Sequence, residues 1–186
     1  MVILGLDPGT VVMGYGIIEV EESKIKLISM GAIQLNKYEN QQLKLITIFK
    51  KVSGLINQYK PDICSVEAPF YGKNVQSMLK LGRAQGVCMV AALNYDIPVA
   101  EYSPKKIKQA ITGSGSASKE QVAAMLKSIC KYEEDPKFFD ATDGLAAAVC
   151  HYFNKDNSNS QNSQKTKKTS SSSWSDFIKD NPDRVK

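Results

Sequence analysis

Residues 41–59 constrain this chain most. Leu45, Ile46, Phe49, Val52 and Ile56 recur there at helical spacing, and Pro61 stops the pattern. Strand-like segments lie on both sides. Before it, VILGLD at 2–7 reads as a buried strand ending in a D-P-G-T turn, and 13–20 and 25–35 predict two more strands joined at EESK. After it, DICSVEA (62–68) predicts a fourth, short strand ending at Glu67. A helical crossover returns its strand parallel to, and beside, an earlier one. Residues 74–94 predict a long helix and 97–102 a fifth strand, and helices follow over 103–111, 118–131 and 141–152. Ser118 with Gln121 makes a capping box for the middle one, and Gly113–Ser116 precede it as a flexible loop. The expectation is an α/β fold: a mixed five-stranded sheet flanked by helices, without internal repeats.

Apolar residues make up 42% of the 186, but the composition turns polar after Phe153. This predicts one folded domain over 1–153 and a disordered polar tail over 154–186. The tail holds one aromatic patch, in which Trp174, Phe177 and Ile178 have the spacing of a short docking helix. Cys64, Cys88, Cys130 and Cys150 are dispersed and form no C-x-x-C pair, which fits a reduced compartment. Asp7 interrupts the apolar start, so no signal peptide is expected, and no apolar run reaches the ~20 residues of a membrane helix. The expected location is cytoplasmic. Residues 73–119 carry seven basic residues against two acids, whereas 120–153 carry three against six. The basic block suits phosphate binding.

Four acids carry the chemistry. Asp7 and Glu67 each end an apolar strand before a proline turn (Pro8, Pro69). Alternation puts Ile3, Gly5 and Asp7 on one face, and Ile63, Ser65 and Glu67 on one face. If the two strands are parallel neighbours, both acids reach the same sheet edge, where ligand sites of α/β sheets gather. Asp140 and Asp143, three apart at the start of a helix, face the same way. That helix is small and apolar (Leu145, Ala146, Ala147, Ala148, Val149) and should pack closely on the sheet. Taken singly, each acid has a plainer role: Asp7 as turn former, Asp140 as N-cap, Asp143 at the favourable end of the helix dipole. Glu67 is harder to place so, because Glu is a poor strand residue. Four convergent carboxylates repel one another unless a divalent metal joins them. With no His or Cys cluster the metal expected is Mg²⁺, with Mn²⁺ able to substitute. His151, the only histidine, reads as a surface or packing residue.

The segments LGLDPGTVVMGYG (4–16), SVEAPFYGKN (65–74), SMLKLGRAQGV (77–87), IKQAITGSGSASKEQV (107–122) and DATDGLAAA (140–148) together resemble the RuvC-type Holliday-junction resolvases, crossover-junction endodeoxyribonucleases with an RNase H-like fold. The resemblance spans 1–152. It implies that Asp7, Glu67, Asp140 and Asp143 are catalytic and hold two Mg²⁺ per site. It also implies that Phe70 meets DNA and that Lys108 and Lys119 are functional lysines, and with these Lys73, Asn74 and Arg83 are expected to complete the DNA-binding set. A homodimer acting on four-way junction DNA is implied too, with 5′-phosphate and 3′-hydroxyl ends and a RuvA–RuvB branch-migration complex as partner. Gly144 departs from the Ala of many relatives, at a helix-propensity cost of ~1 kcal/mol. Gly82 and Gly86, four apart, predict close approach of a neighbour, the sheet before a second subunit. Phe70 and Tyr71 follow Glu67 in a loop, where an aromatic can stack on an unpaired base. Lys119 opens a helix, where phosphate binds readily.

Two rival readings share parts of this pattern. Asp7, Gly9 and Thr10 also fit the D-x-G-T phosphate loop of the sugar-kinase, Hsp70 and actin superfamily of ATP-binding proteins. Those proteins need a duplicated second domain, for which this chain has no room. A non-catalytic junction-binding scaffold is the other, and the presence of all four acids argues against it.

Overall fold

The computed structural model describes residues 1–69, 74–132 and 139–161. Phe70, Tyr71 and Lys73, and the tail patch at Trp174, Phe177 and Ile178, lie outside these residues. Two compact units are distinguished, Met1–Lys155 and Asp156–Lys186.

The first unit holds β1 (Val2–Asp7), β2 (Val12–Glu21), β3 (Lys24–Gln34), α1 (Gln41–Tyr59), β4 (Ile63–Glu67), α2 (Val75–Leu93), β5 (Val99–Tyr102), α3 (Pro104–Thr112) and α4 (Lys119–Cys130). The last helix, α5, runs Phe139–Gln161. The sheet order is β3-β2-β1-β4-β5. β1, β2 and β3 pair antiparallel, and β4 joins β1, then β5 joins β4, in parallel. The mixed five-stranded sheet therefore forms as expected, and the crossover helix does set β4 beside β1.

Local chemistry explains the boundaries. The Asn40 side chain accepts from the Leu43 N–H to start α1, and Lys60 in the left-handed region ends it by donating to the Ile56 carbonyl. Ser118 and Gln121 form the reciprocal capping box of α4. Two of the expected bounds need correction. α5 starts at Phe139, so Asp140 lies inside the first turn and is not the N-cap. The same helix continues to Gln161, nine residues past its expected end at 152.

Sheet alternation divides the core in two. Leu4, Leu6, Met13, Ile17, Cys64 and Val66 pack against α1 and α2. Ile3 and Ile18 face the other side, with Leu126, Leu145 and Val149 of α4 and α5. All four cysteines are buried and free. Among the described residues no helix is long and apolar enough to cross a membrane.

Candidate active site

Asp7 and Glu67 end neighbouring parallel strands, in a ladder that runs from Ile3–Ile63 to Leu6–Val66. Both lie on the α5 side of the sheet, as alternation requires. They line a cleft of about 320 Å³ with Pro8, Gly9, Ala68, Pro69 and three residues from other elements, Leu81, Gln85 and Pro104.

α5 reaches this edge because the sheet beneath it is nearly bare. A Cβ on Gly14 would overlap the Asp140 carbonyl, one on Gly16 would strike Leu145, and one on Gly5 would meet Gly144 and Ala148. Gly144 answers from the helix, where a Cβ would strike the backbone of Gly14 and Tyr15. Glycine there serves helix–sheet contact, which outweighs its propensity cost of about 1 kcal/mol. The buried Ser65 hydroxyl donates to the Ala147 carbonyl at 2.7 Å and ties the same helix to β4. Gly14 pairs with Asp7 across the ladder, so the first turn of α5 sits one strand away from Asp7. The fourth acid, Asp143, forms an ion pair with Lys119 of α4 at 2.6 Å.

Electrostatics show that these groups sense one another. Burial chiefly, with Asp143 and Asp140 adding repulsion and Lys119 opposing, raises Asp7 from 3.8 to about 7. Burial, then the charges of Asp7 and Asp143, raises Glu67 from 4.5 to about 8, while Lys119 and Lys108 lower it. The hydrogen bond to Asp143 holds the Lys119 ammonium above its usual range. Near neutral pH the two strand acids thus share protons.

A hard divalent cation suits this donor set, because it would replace those protons and relieve the repulsion. Among the described residues, however, no three acids, histidines or cysteines stand close enough together to form a ready-made ligand group. The donor chemistry fits, and the acids converge on one sheet edge, with Asp143 engaged by Lys119.

The other expected residues divide. Lys108 acts on Glu67 electrostatically. Asn74 caps α2, its side chain accepting from the Ser77 N–H, and Arg83 is exposed on α2. Phe70 and Lys73 are outside the described residues. His151 is a packing residue: it is buried, with Nδ1 2.9 Å from the Tyr102 hydroxyl. The expectation that Gly82 and Gly86 meet the sheet is corrected: among the described residues neither has a neighbour within 4 Å of its Cβ position. Ala84, Gln85, Cys88, Ala91 and Ala92 are the residues α2 buries. Sequence reasoning missed Gln85, a buried polar residue lining the cleft and donating to Glu101 at 2.5 Å. Its signal was an amide interrupting the small apolar face of α2.

Comparison with known proteins agrees with this geometry. The family description "Crossover junction endodeoxyribonuclease RuvC" matches residues 3–151. Proteins of that name from Cytophaga hutchinsonii and Bacteroides fragilis are 55% and 54% identical over the whole chain, which covers 88% and 96% of their lengths. The Thermus thermophilus RuvC structure superposes with a TM-score of 0.77 at 31% identity, over 85% of this chain and 97% of that one. The same protein in complex with Holliday junction substrate gives 0.75 at 29%, over 84% and 96%.

Proposed function

The chain belongs to the RuvC family of crossover junction endodeoxyribonucleases, and from that premise we propose that it cuts four-way DNA junctions at the edge formed by Asp7, Glu67, Asp140 and Asp143. One observation carries the assignment to these residues. Acids from β1, β4 and α5 are drawn to a single sheet end, where burial and mutual repulsion lift two of them toward neutrality. A purely structural role does not account for that arrangement, since each charge destabilises the next. The ATP-binding alternative is set aside by the family match, which spans nearly all of the sheet-bearing unit.

Asp7, Glu67, Asp140 and Asp143 would hold two Mg²⁺ ions, with Mn²⁺ able to replace them. Bound there, the metal supplies charge neutralisation and polarises the phosphodiester and the attacking water. The chain's own groups then divide the work. Lys119, exposed beside Asp143, offers an ammonium to the negative charge that builds on the phosphate. Lys108 holds a second positive charge toward Glu67. Phe70, just past Glu67, stacks on a base unpaired at the crossover, and Lys73, Asn74 and Arg83 hold the adjoining backbone. In-line attack by water leaves 5′-phosphate and 3′-hydroxyl ends.

A two-fold junction calls for two such centres. Val75, Leu79, Val90 and Leu93 of α2 are all more than half exposed, and the open Gly82 and Gly86 lie between them on the same side. An uncovered apolar stripe of this kind is what a symmetric helix-to-helix contact buries. It supports the homodimer, which would receive junctions from a RuvA–RuvB complex.

The deciding assay is cleavage of a synthetic four-way junction with Mg²⁺, beside duplex and flap substrates. Paired nicks confined to the junction are expected. Asp7→Asn should bind the junction yet lose at least about 10²-fold in cutting, comparable to removing a transition-state stabiliser. An active Asp7→Asn enzyme would refute the assignment.

A further inference from the structure

On the side of the sheet away from the acids, a groove of about 700 Å³ opens between the end of β2–β3 and α1. Lys37, Lys50 and Lys51 line it, together with Tyr15, Tyr38 and Thr47. Among the described residues no carboxylate lines it, and α1 contains no acidic residue at all. The three lysines are exposed. Lys37 Nζ stands 5.4 Å from the centre of the Tyr38 ring. A hydrogen bond with Thr47 and the charges of Lys37 and Lys51 make the Tyr38 hydroxyl more acidic, although partial burial opposes them.

The groove and the catalytic edge share one end of the sheet. Asp7 pairs with Gly14, whose neighbour Tyr15 points to the opposite face and into the groove. Val12 in turn pairs with Gln34 of β3. Lys44 of α1 donates to the carbonyl of Thr10, in the turn that follows Asp7, at 2.8 Å. Two inter-strand spacings separate β1 from β3, about 10 Å.

We propose that this groove is a second DNA-backbone site, in which Lys37, Lys50 and Lys51 hold phosphates of a junction arm as it leaves the cutting edge. The inference rests on the nuclease reading and adds to it a path for the arm around the sheet end. Phosphate contacts of this kind fix register and carry no sequence information. The groove therefore contributes affinity and leaves the chemical step alone.

The test uses the full chain, a four-way junction with long arms, and the triple variant Lys37→Gln, Lys50→Gln, Lys51→Gln. A control triple variant, Lys24→Gln, Lys26→Gln, Lys60→Gln, removes equal charge from the other end of the sheet. The dependence of log affinity on log salt should flatten by about two to three in the groove variant, near 0.9 per lost phosphate contact. It should barely change in the control. Cleavage at saturating protein should stay within about twofold of the starting chain, and arginine at all three positions should restore the salt slope. An unchanged slope, a loss matched by the control, or a saturating rate that falls as far as affinity overturns the groove. A starting chain that binds and cuts junctions beside an unaffected groove variant leaves the nuclease reading standing. A starting chain that neither binds nor cuts them overturns both.

Discussion

Asp143 and Lys119 meet at 2.6 Å, yet the influence of that lysine spreads further, because its charge also opposes the elevation of Asp7 and Glu67. Lys119→Ala should therefore move the acidic limb of the pH–rate profile to higher pH. It should slow cutting by about 10²-fold while weakening junction binding far less. Equal losses in both would count against a place at the scissile phosphate. The elevated acids also fix the sign of a stability effect. Asp7 and Glu67 hold protons in the folded chain up to about 7 and about 8, whereas the unfolded chain releases them near 3.8 and 4.5. Their contribution is fully present below about pH 4 and is lost as pH rises through those folded values. The metal-free protein should lose thermal stability between about pH 4 and pH 8. Asp7→Asn should flatten that fall, and a melting series that steepens in the variant would contradict the account. The placement of Asp7 and Glu67 at neighbouring strand ends, and of Asp140 and Asp143 in one helix, was legible in the sequence because prolines and helical spacing mark it. Gln85 was not, since its partner Glu101 lies on a different element and only the fold brings the two together.

Helix α5 shows what one element needs in order to deliver two carboxylates to a sheet. Its approach requires Gly5, Gly14 and Gly16 below and Gly144 above, because at each a Cβ would strike backbone of the opposing element. Gly14→Ala should therefore cost about 1–3 kcal/mol or more in stability, and it should reduce cutting further than the stability loss explains, by displacing Asp140. Chemical denaturation and single-turnover cleavage at low temperature separate the two effects. A variant with unchanged cutting would show that Asp140 tolerates the shift. The extent of this element was only partly readable. Its apolar stretch to residue 152 was plain, but NKDNSNSQ beyond it reads as tail, and the helix nonetheless runs to Gln161. The bounds of α1 were legible from apolar residues at helical spacing and a following proline, but its buried side was read only in part: Val52 and Ile56 are buried, whereas Ile46 and Phe49 are exposed and Ile48 takes their place in the core. α2 misled for a different reason. It is apolar on both sides, with Ala84, Cys88, Ala91 and Ala92 inward and Val75, Leu79, Val90 and Leu93 outward. Periodicity alone could not choose which side meets the sheet, and Gly82 and Gly86 fell on the other one. The groove lysines escaped for a similar reason, because residues 1–72 carry seven basic and seven acidic residues and only folding separates them.

At the scale of the whole molecule, the proposed homodimer makes the outward face of α2 the element that would bring two cutting edges to one junction. Nineteen residues of helix span about 28 Å, enough for two antiparallel copies to lie side by side with their glycines in register. Leu79, 52% exposed, and Val90, 58% exposed, flank those glycines on one side of the helix. In a symmetric contact each would meet its own counterpart's neighbourhood, so one substitution acts twice. Leu79→Glu with Val90→Glu would bring four carboxylates into a small apolar interface, which should weaken dimerisation by at least about 30-fold, the loss of one hot spot. Sedimentation should then show monomers at concentrations where the starting chain is dimeric. The fold should survive, because neither residue belongs to the buried core. Each monomer keeps Asp7, Glu67, Asp140 and Asp143, so it should still nick a junction once. What disappears is the coupling: the second nick should lag, and ligatable products should give way to singly nicked junctions. A variant that remains dimeric and still makes paired cuts would move the subunit contact elsewhere. That result would leave the apolar stripe of α2 to another partner without disturbing the acids.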